Sequence, residues 1–219
     1  MELAVLGMRE PVMPPLVMVI WSYLRAHGWD WGFRTFLSAV EGGHLKIVKY
    51  LQTHDCPWGH QTWAAAAAGG HLEIIQYLHQ SGAGWSSIIS GEAALHGHLN
   101  ILVYLDANYA PKSCCACDNA AEGGHLEVLQ WLRAHDYPLD QWVCTRAAGA
   151  GHFDIIQWLY ANNCPWDQFA CHAAAEAGHL AILQWLHTHG CPWNGRTRQA
   201  AIKGGHVEVL EYLNDHGLN

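Results

Sequence analysis

Apolar residues recur along this chain on two periods, that of a helix turn and a longer one of 27 residues. A Gly-His pair marks the longer period, at Gly43-His44, Gly70-His71, Gly97-His98, Gly124-His125, Gly151-His152, Gly178-His179 and Gly205-His206. Take each of these histidines as position zero. Position +1 then holds Leu45, Leu72, Leu99, Leu126, Phe153, Leu180 and Val207. Positions +3 and +4 hold only Ile, Val or Leu, +6 only Tyr or Trp, and +7 only Leu. Polar residues fill most of +2 and +5, so the segment reads as a helix with a broad apolar stripe. Trp158, at +6, is expected to be core, with truncation to Ala costing about 3–5 kcal/mol.

A second helix is predicted upstream in each unit. Position −12 holds Gly32, Gly59, Ser86, Ser113, Asp140, Asp167 and Asn194, all residue types that cap helix N-termini. Alanine follows at −5 in every unit, from Ala39 to Ala201, and gives a small face that lets a neighbouring backbone come close. This first helix runs from about −11 to −2, and the glycine at −1 breaks it. Asp55, Gly82, Asp136, Asn163, Gly190 and Gly217, with Gly28 ahead of them, follow the second helix and suit a left-handed C-cap. Connectors such as Cys56-Pro57-Trp58, Cys164-Pro165-Trp166 and Cys191-Pro192-Trp193 link the units. Proline there directs the preceding residue away from helix, and the tryptophan is expected to cover the seam between units.

Seven equal intervals with no insertion imply a linear array. The predicted fold is all-α, a right-handed solenoid of stacked helix-turn-helix units. One partial and seven complete units span residues 17–219, and residues 1–16 form an N-terminal cap segment. Such an array grows by adding layers and builds one long face, which favours binding over catalysis.

Composition narrows the picture. Hydrophobic content of 51% with 14% charged residues is too apolar for a disordered chain. A net charge of −8 has the wrong sign for gripping nucleic-acid phosphates, although 17 histidines raise the charge near pH 6. The eight cysteines fall mostly on two repeat positions: Cys56, Cys164 and Cys191 on one, Cys117, Cys144 and Cys171 on the other. Equivalent cysteines of stacked units stand roughly 10 Å apart, beyond disulfide reach, and read as small buried hydrophobes in a reducing compartment. Residues 1–16 lack a basic leader and carry three prolines, and no apolar run reaches the ~20 residues that span a bilayer. The expected setting is intracellular and cytoplasmic, with no membrane contact.

Ala120-Ala121-Glu122-Gly123-Gly124-His125-Leu126-Glu127-Val128-Leu129 resembles the core of an ankyrin repeat, as do the matching stretches of the other units. The period of 27 is shorter than the usual 33, which places the deficit in the β-hairpin finger between units. This compact form is similar to repeats abundant in giant DNA viruses of amoebae and in some protists. If the chain is viral, its setting is the host cell. The resemblance implies a non-enzymatic scaffold or adaptor that binds a protein partner, requires no cofactor and acts as a monomer.

Positions −10, −6 and −3 share one face of the first helix. By analogy with ankyrin stacks this face lines the concave side. Variable residues there can specify a partner: Arg34, Glu92, Asn119, Glu122, Trp142, Arg146, Phe169 and Glu176. Trp142, Arg146 and Phe169 stand out, since exposed Trp and Arg are common interface anchors. The competing reading packs Trp142 and Phe169 against their own connectors. The repeated Gly-His pairs are structural, each histidine bonding turn backbone between its own two helices. Metal binding and catalysis are not expected. Cys114-Cys115-Ala116-Cys117 lacks a second ligand pair at finger spacing, and no nucleophile-base order or phosphate loop stands out.

The segment from Met13 to Leu24 faintly resembles the opening helix of an F-box, which would make the chain a substrate-recruiting adaptor of a ubiquitin ligase. The repeat frame offers a rival, since Ile20, Tyr23 and Leu24 fall 27 residues before Ile47, Tyr50 and Leu51 and read as a degenerate capping unit. A purely structural repeat protein is a third possibility.

Overall fold

The computed structural model describes residues 32–218. The cap segment 1–16, its F-box-like start, the partial unit and Gly28 lie outside them. The described residues form fourteen helices and no strand. The first helices of successive units are α1 (Phe33–Glu41), α3 (His60–Ala68), α5 (Ile89–Leu95), α7 (Ala116–Gly123), α9 (Gln141–Ala150), α11 (Gln168–Ala177) and α13 (Gly195–Gly204). The second helices are α2 (Leu45–Thr53), α4 (Leu72–Gln80), α6 (Leu99–Ala107), α8 (Leu126–Ala134), α10 (Phe153–Ala161), α12 (Leu180–Thr188) and α14 (Val207–Asp215). Every second helix opens at +1 and ends at +9, as the apolar stripe predicts. The connectors carry no hairpin among the described residues, in keeping with the short period.

The core is continuous from layer to layer. Positions −5, +3 and +7 are buried in all units, together with Phe36, Trp63, Cys117, Cys144 and Cys171 at −8. Alanine at −5 makes this packing close, and the first helices of neighbouring units lie against one another along their length. The second helices of neighbouring units meet far more loosely.

Two expectations are corrected. Position +6 is only half-buried in every unit, Trp158 included. It lies on the side where neighbouring second helices pack loosely, so part of each side chain stays in contact with water and its truncation is expected to cost less than that of a core residue. Ser86 and Ser113 do not start their helices, which open later at Ile89 and Ala116. The Ser113 hydroxyl accepts the Cys115 N–H at 3.3 Å, whereas the Asp140 carboxylate accepts the Trp142 N–H at 2.8 Å and Asp167 accepts that of Phe169 at 2.9 Å. The shorter, charge-assisted bond holds the first turn more firmly.

The eight cysteines are free thiols. Equivalent cysteines of different units are not the ones that meet; the thiols that meet belong to one unit. Cys144 contacts Cys164 and Cys171 contacts Cys191 through thiol–thiol hydrogen bonds, and these bonds followed by burial push the Cys144 and Cys171 thiols up. Cys164 and Cys191 accept these bonds and donate their own S–H to the cap carbonyls of Asp140 and Asp167 at 3.5 and 3.2 Å, which ties the two ends of a unit together.

Candidate binding face and the locks that position it

Each Gly-His pair joins units. The His71 ring donates from Nε2 to the carbonyl of Glu41 at 3.0 Å, 30 residues earlier. His98 reaches Ala68 at 3.0 Å, His152 reaches Glu122 at 3.1 Å, His179 reaches Gly149 at 3.2 Å and His206 reaches Glu176 at 3.0 Å. His125 bonds the Leu95 backbone in the same way. A carbonyl accepts only, so the proton sits on Nε2. The acceptor is always position −3 of the preceding unit, and the expectation of a bond within the histidine's own turn is corrected. The physical reason is the fall of the chain at −1. Gly151 takes φ of 86° and Gly124 takes 78°, in the left-handed region that ends the first helix. With no side chain there, the next unit's imidazole lies over the glycine. A Cβ on Gly124 would stand 2.4 Å from the His152 ring, and one on Gly151 2.8 Å from His179. Glycine and histidine are thus two halves of one lock, shared between consecutive units.

A second ladder runs at +10, a position the sequence reading passed over. His54, His135, His189 and His216 donate from Nδ1 to the +6 carbonyl of their own helix, each at 2.8 Å. Ser81, Asn108 and Asn162 make the same bond at 2.8 Å. The rings of His135 and His189 also stack on Trp131 and Trp185 with centroids 3.8 and 3.9 Å apart. The shared side-chain donor at +10 was the available signal. The connector tryptophans do cover seams. Trp85 lies 5.2 Å from Trp63 and 6.4 Å from Tyr104 on α6, and Trp193 lies 3.6 Å from His187 and 6.0 Å from Tyr212.

These devices leave the −10, −6 and −3 positions of the first helices facing outward. The Asp140 and Asp167 caps bond the N–H groups of Trp142 and Phe169, which fixes where both −10 residues leave the backbone. Their rings stack across two units with centroids 5.5 Å apart and planes 26° from parallel. Trp142 keeps 44% of its surface exposed and Phe169 is half-buried. Arg146, one turn after Trp142, pairs with Glu122 of the preceding unit at 3.4 Å. A cleft of about 420 Å³ opens beside them, lined by Glu122, Trp142, Thr145, Arg146, Gly149, Ala150 and Ala173. Its floor is made of small residues that the sequence reading did not single out. Gly149 is not required for packing, since a Cβ there would meet Ala173 at an ordinary 3.4 Å.

Of the other expected binding residues, Glu176 pairs with Lys203 of the next unit at 2.6 Å. Asn119 donates to the Gly91 carbonyl at 3.0 Å and so also braces adjacent layers. Glu92 is half-buried on α5, and Arg34 stands exposed on α1, well away from the cluster. Among the described residues no group of three or more His, Cys, Asp or Glu side chains is placed to hold a metal ion. No described helix is long and apolar enough to cross a membrane.

No curated protein matches the chain. A family model described as ankyrin repeats in three copies matches residues 144–219, and one described as ankyrin repeats in many copies matches residues 117–160. The units from residue 32 to 116 have the same paired helices, turn glycine and histidine lock. The chain therefore carries ankyrin repeats over residues 117–219, continued by units of the same geometry back to residue 32, and such repeats are protein–protein interaction modules.

Proposed function

We propose that the chain is a non-enzymatic scaffold or adaptor that holds a protein partner on the outward face of its first helices, with Trp142, Phe169 and Arg146 as anchors. The observation that carries this reading is the stacked Trp142–Phe169 pair, whose Trp142 lines the 420 Å³ cleft. A large ring left 44% exposed stabilises a monomer little, yet buries much area in a complex. The close packing of first helices against the loose packing of second helices curves the array toward this face, which supports a concave surface around the partner. Arg146 lines the same cleft as Trp142 and pairs with Glu122, which supports its part as an anchor.

The test is the double variant Trp142→Ala, Arg146→Ala, assayed by calorimetric titration against a partner captured from the native host cell. Neither side chain belongs to the buried core, so the array is expected to stay folded. Affinity is expected to fall by about 30-fold or more, the loss of a 2 kcal/mol anchor. Unchanged affinity would remove this face from the interface.

A further inference from the structure

Asp118 stands one turn before Glu122 on α7. Position −7 holds Leu37, Ala64, Gly91, Thr145, His172 and Gln199 in the other units, so Asp118 is the sole carboxylate of that row. Its side chain is half-buried and makes no ion pair within 4.0 Å among the described residues. Burial pushes its carboxyl up to about 6, the Asp140 carboxylate adds to the rise, Arg146 opposes it and Glu122 raises it again. The one guanidinium near this half-buried carboxylate is already paired with Glu122, so Asp118 has no ion-pair partner of its own among the described residues.

The surrounding face does not supply one. Arg146 is engaged with Glu122 at 3.4 Å, and Lys203 with Glu176 at 2.6 Å. The remaining arginines of this face, Arg34 and Arg196, stand on α1 and α13 toward its two ends. The middle therefore presents Glu92, Asp118 and Glu122 against one guanidinium, in a chain of net charge −8. An acidic segment approaching this face would be repelled, and a basic one steered toward it.

We propose that the partner segment on this face is basic, with a Lys or Arg side chain against Asp118 and a neighbouring apolar side chain in the cleft beside Trp142. This rests on the binding-face reading above. Asp118 is then a group that weakens the free protein and is compensated in the complex, the pattern by which perturbed carboxyls mark functional sites.

The experiment selects a displayed library of random linear peptides on the full chain, with counter-selection on the Trp142→Ala, Arg146→Ala variant. Enriched peptides are expected to combine Lys or Arg with an adjacent apolar residue. Their affinity should fall about tenfold on Asp118→Asn, the effect of one partly desolvated charge pair. Stability separates this loss from misfolding. A carboxyl raised in the folded state costs nothing below its ordinary value of about 3.9 and costs in full above about 6. Asp118→Asn should thus be more stable than the parent near pH 8 and equal to it near pH 3. Acidic or uncharged winners, or peptides that need Trp142 but bind Asp118→Asn unchanged, would overturn the charge assignment and leave the face reading standing. Failure of any peptide to prefer the parent over the double variant would overturn both.

Discussion

Tyr109 shows how one residue departs from its repeat. It occupies +11, where the other described units place Asp55, Gly82, Asp136, Asn163, Gly190 and Gly217, and it shares their left-handed backbone with φ of 54°. A tyrosine pays a steric cost there that glycine does not. Its ring is 94% exposed, so little packing offsets that cost. Tyr109→Gly is expected to stabilise the array by about 1 kcal/mol, read as a raised urea midpoint at unchanged slope. The backbone of this site was legible in the sequence from its six equivalents, although Tyr109 itself gave no sign of it. The glycine at −1 was equally legible, because a repeated glycine between two apolar periods means a left-handed turn. Its partner was not. The imidazole over Gly124 comes from His152, and an invariant spacing shows that positions are equivalent without saying which units touch.

Helix boundaries were read well because two signals agreed, the apolar stripe for second helices and the cap residues for first ones. They failed at α5 and α7, where serine stands in place of Asp or Asn. The burial of +6 was overestimated for a similar reason. A helical stripe records which residues turn away from water on one helix, and cannot show that neighbouring second helices diverge. The corrected role of the histidines changes what a mutation does to an element. His152→Ala leaves the Glu122 carbonyl without its donor and is expected to cost about 1–3 kcal/mol. Amide exchange should then speed up in α7 as well as in α10. Acceleration confined to the unit of His152 would restore the bond-within-the-turn reading. The binding cleft was half legible. Trp142, Arg146 and Phe169 announced themselves as large residues at variable positions, whereas its floor is defined by side chains that are missing at Gly149, Ala150 and Ala173.

At the scale of the molecule, every lock joins a histidine to the carbonyl three positions before the previous histidine. Removing residues 45–71, a stretch of 27, places Leu72 after His44 and sets His98 opposite the carbonyl of Glu41. The shortened chain should unfold cooperatively at a lower urea midpoint with its cleft intact, as expected when stability is a sum over neighbouring layers. A deletion one residue shorter breaks the frame and should unfold the preceding units. A fold locked in this register is expected to tolerate unequal exchange between its own copies. Genes that gain or lose whole repeats by recombination would still encode folded proteins, and the reach of the partner-facing surface becomes a quantity that selection can adjust without redesigning any residue.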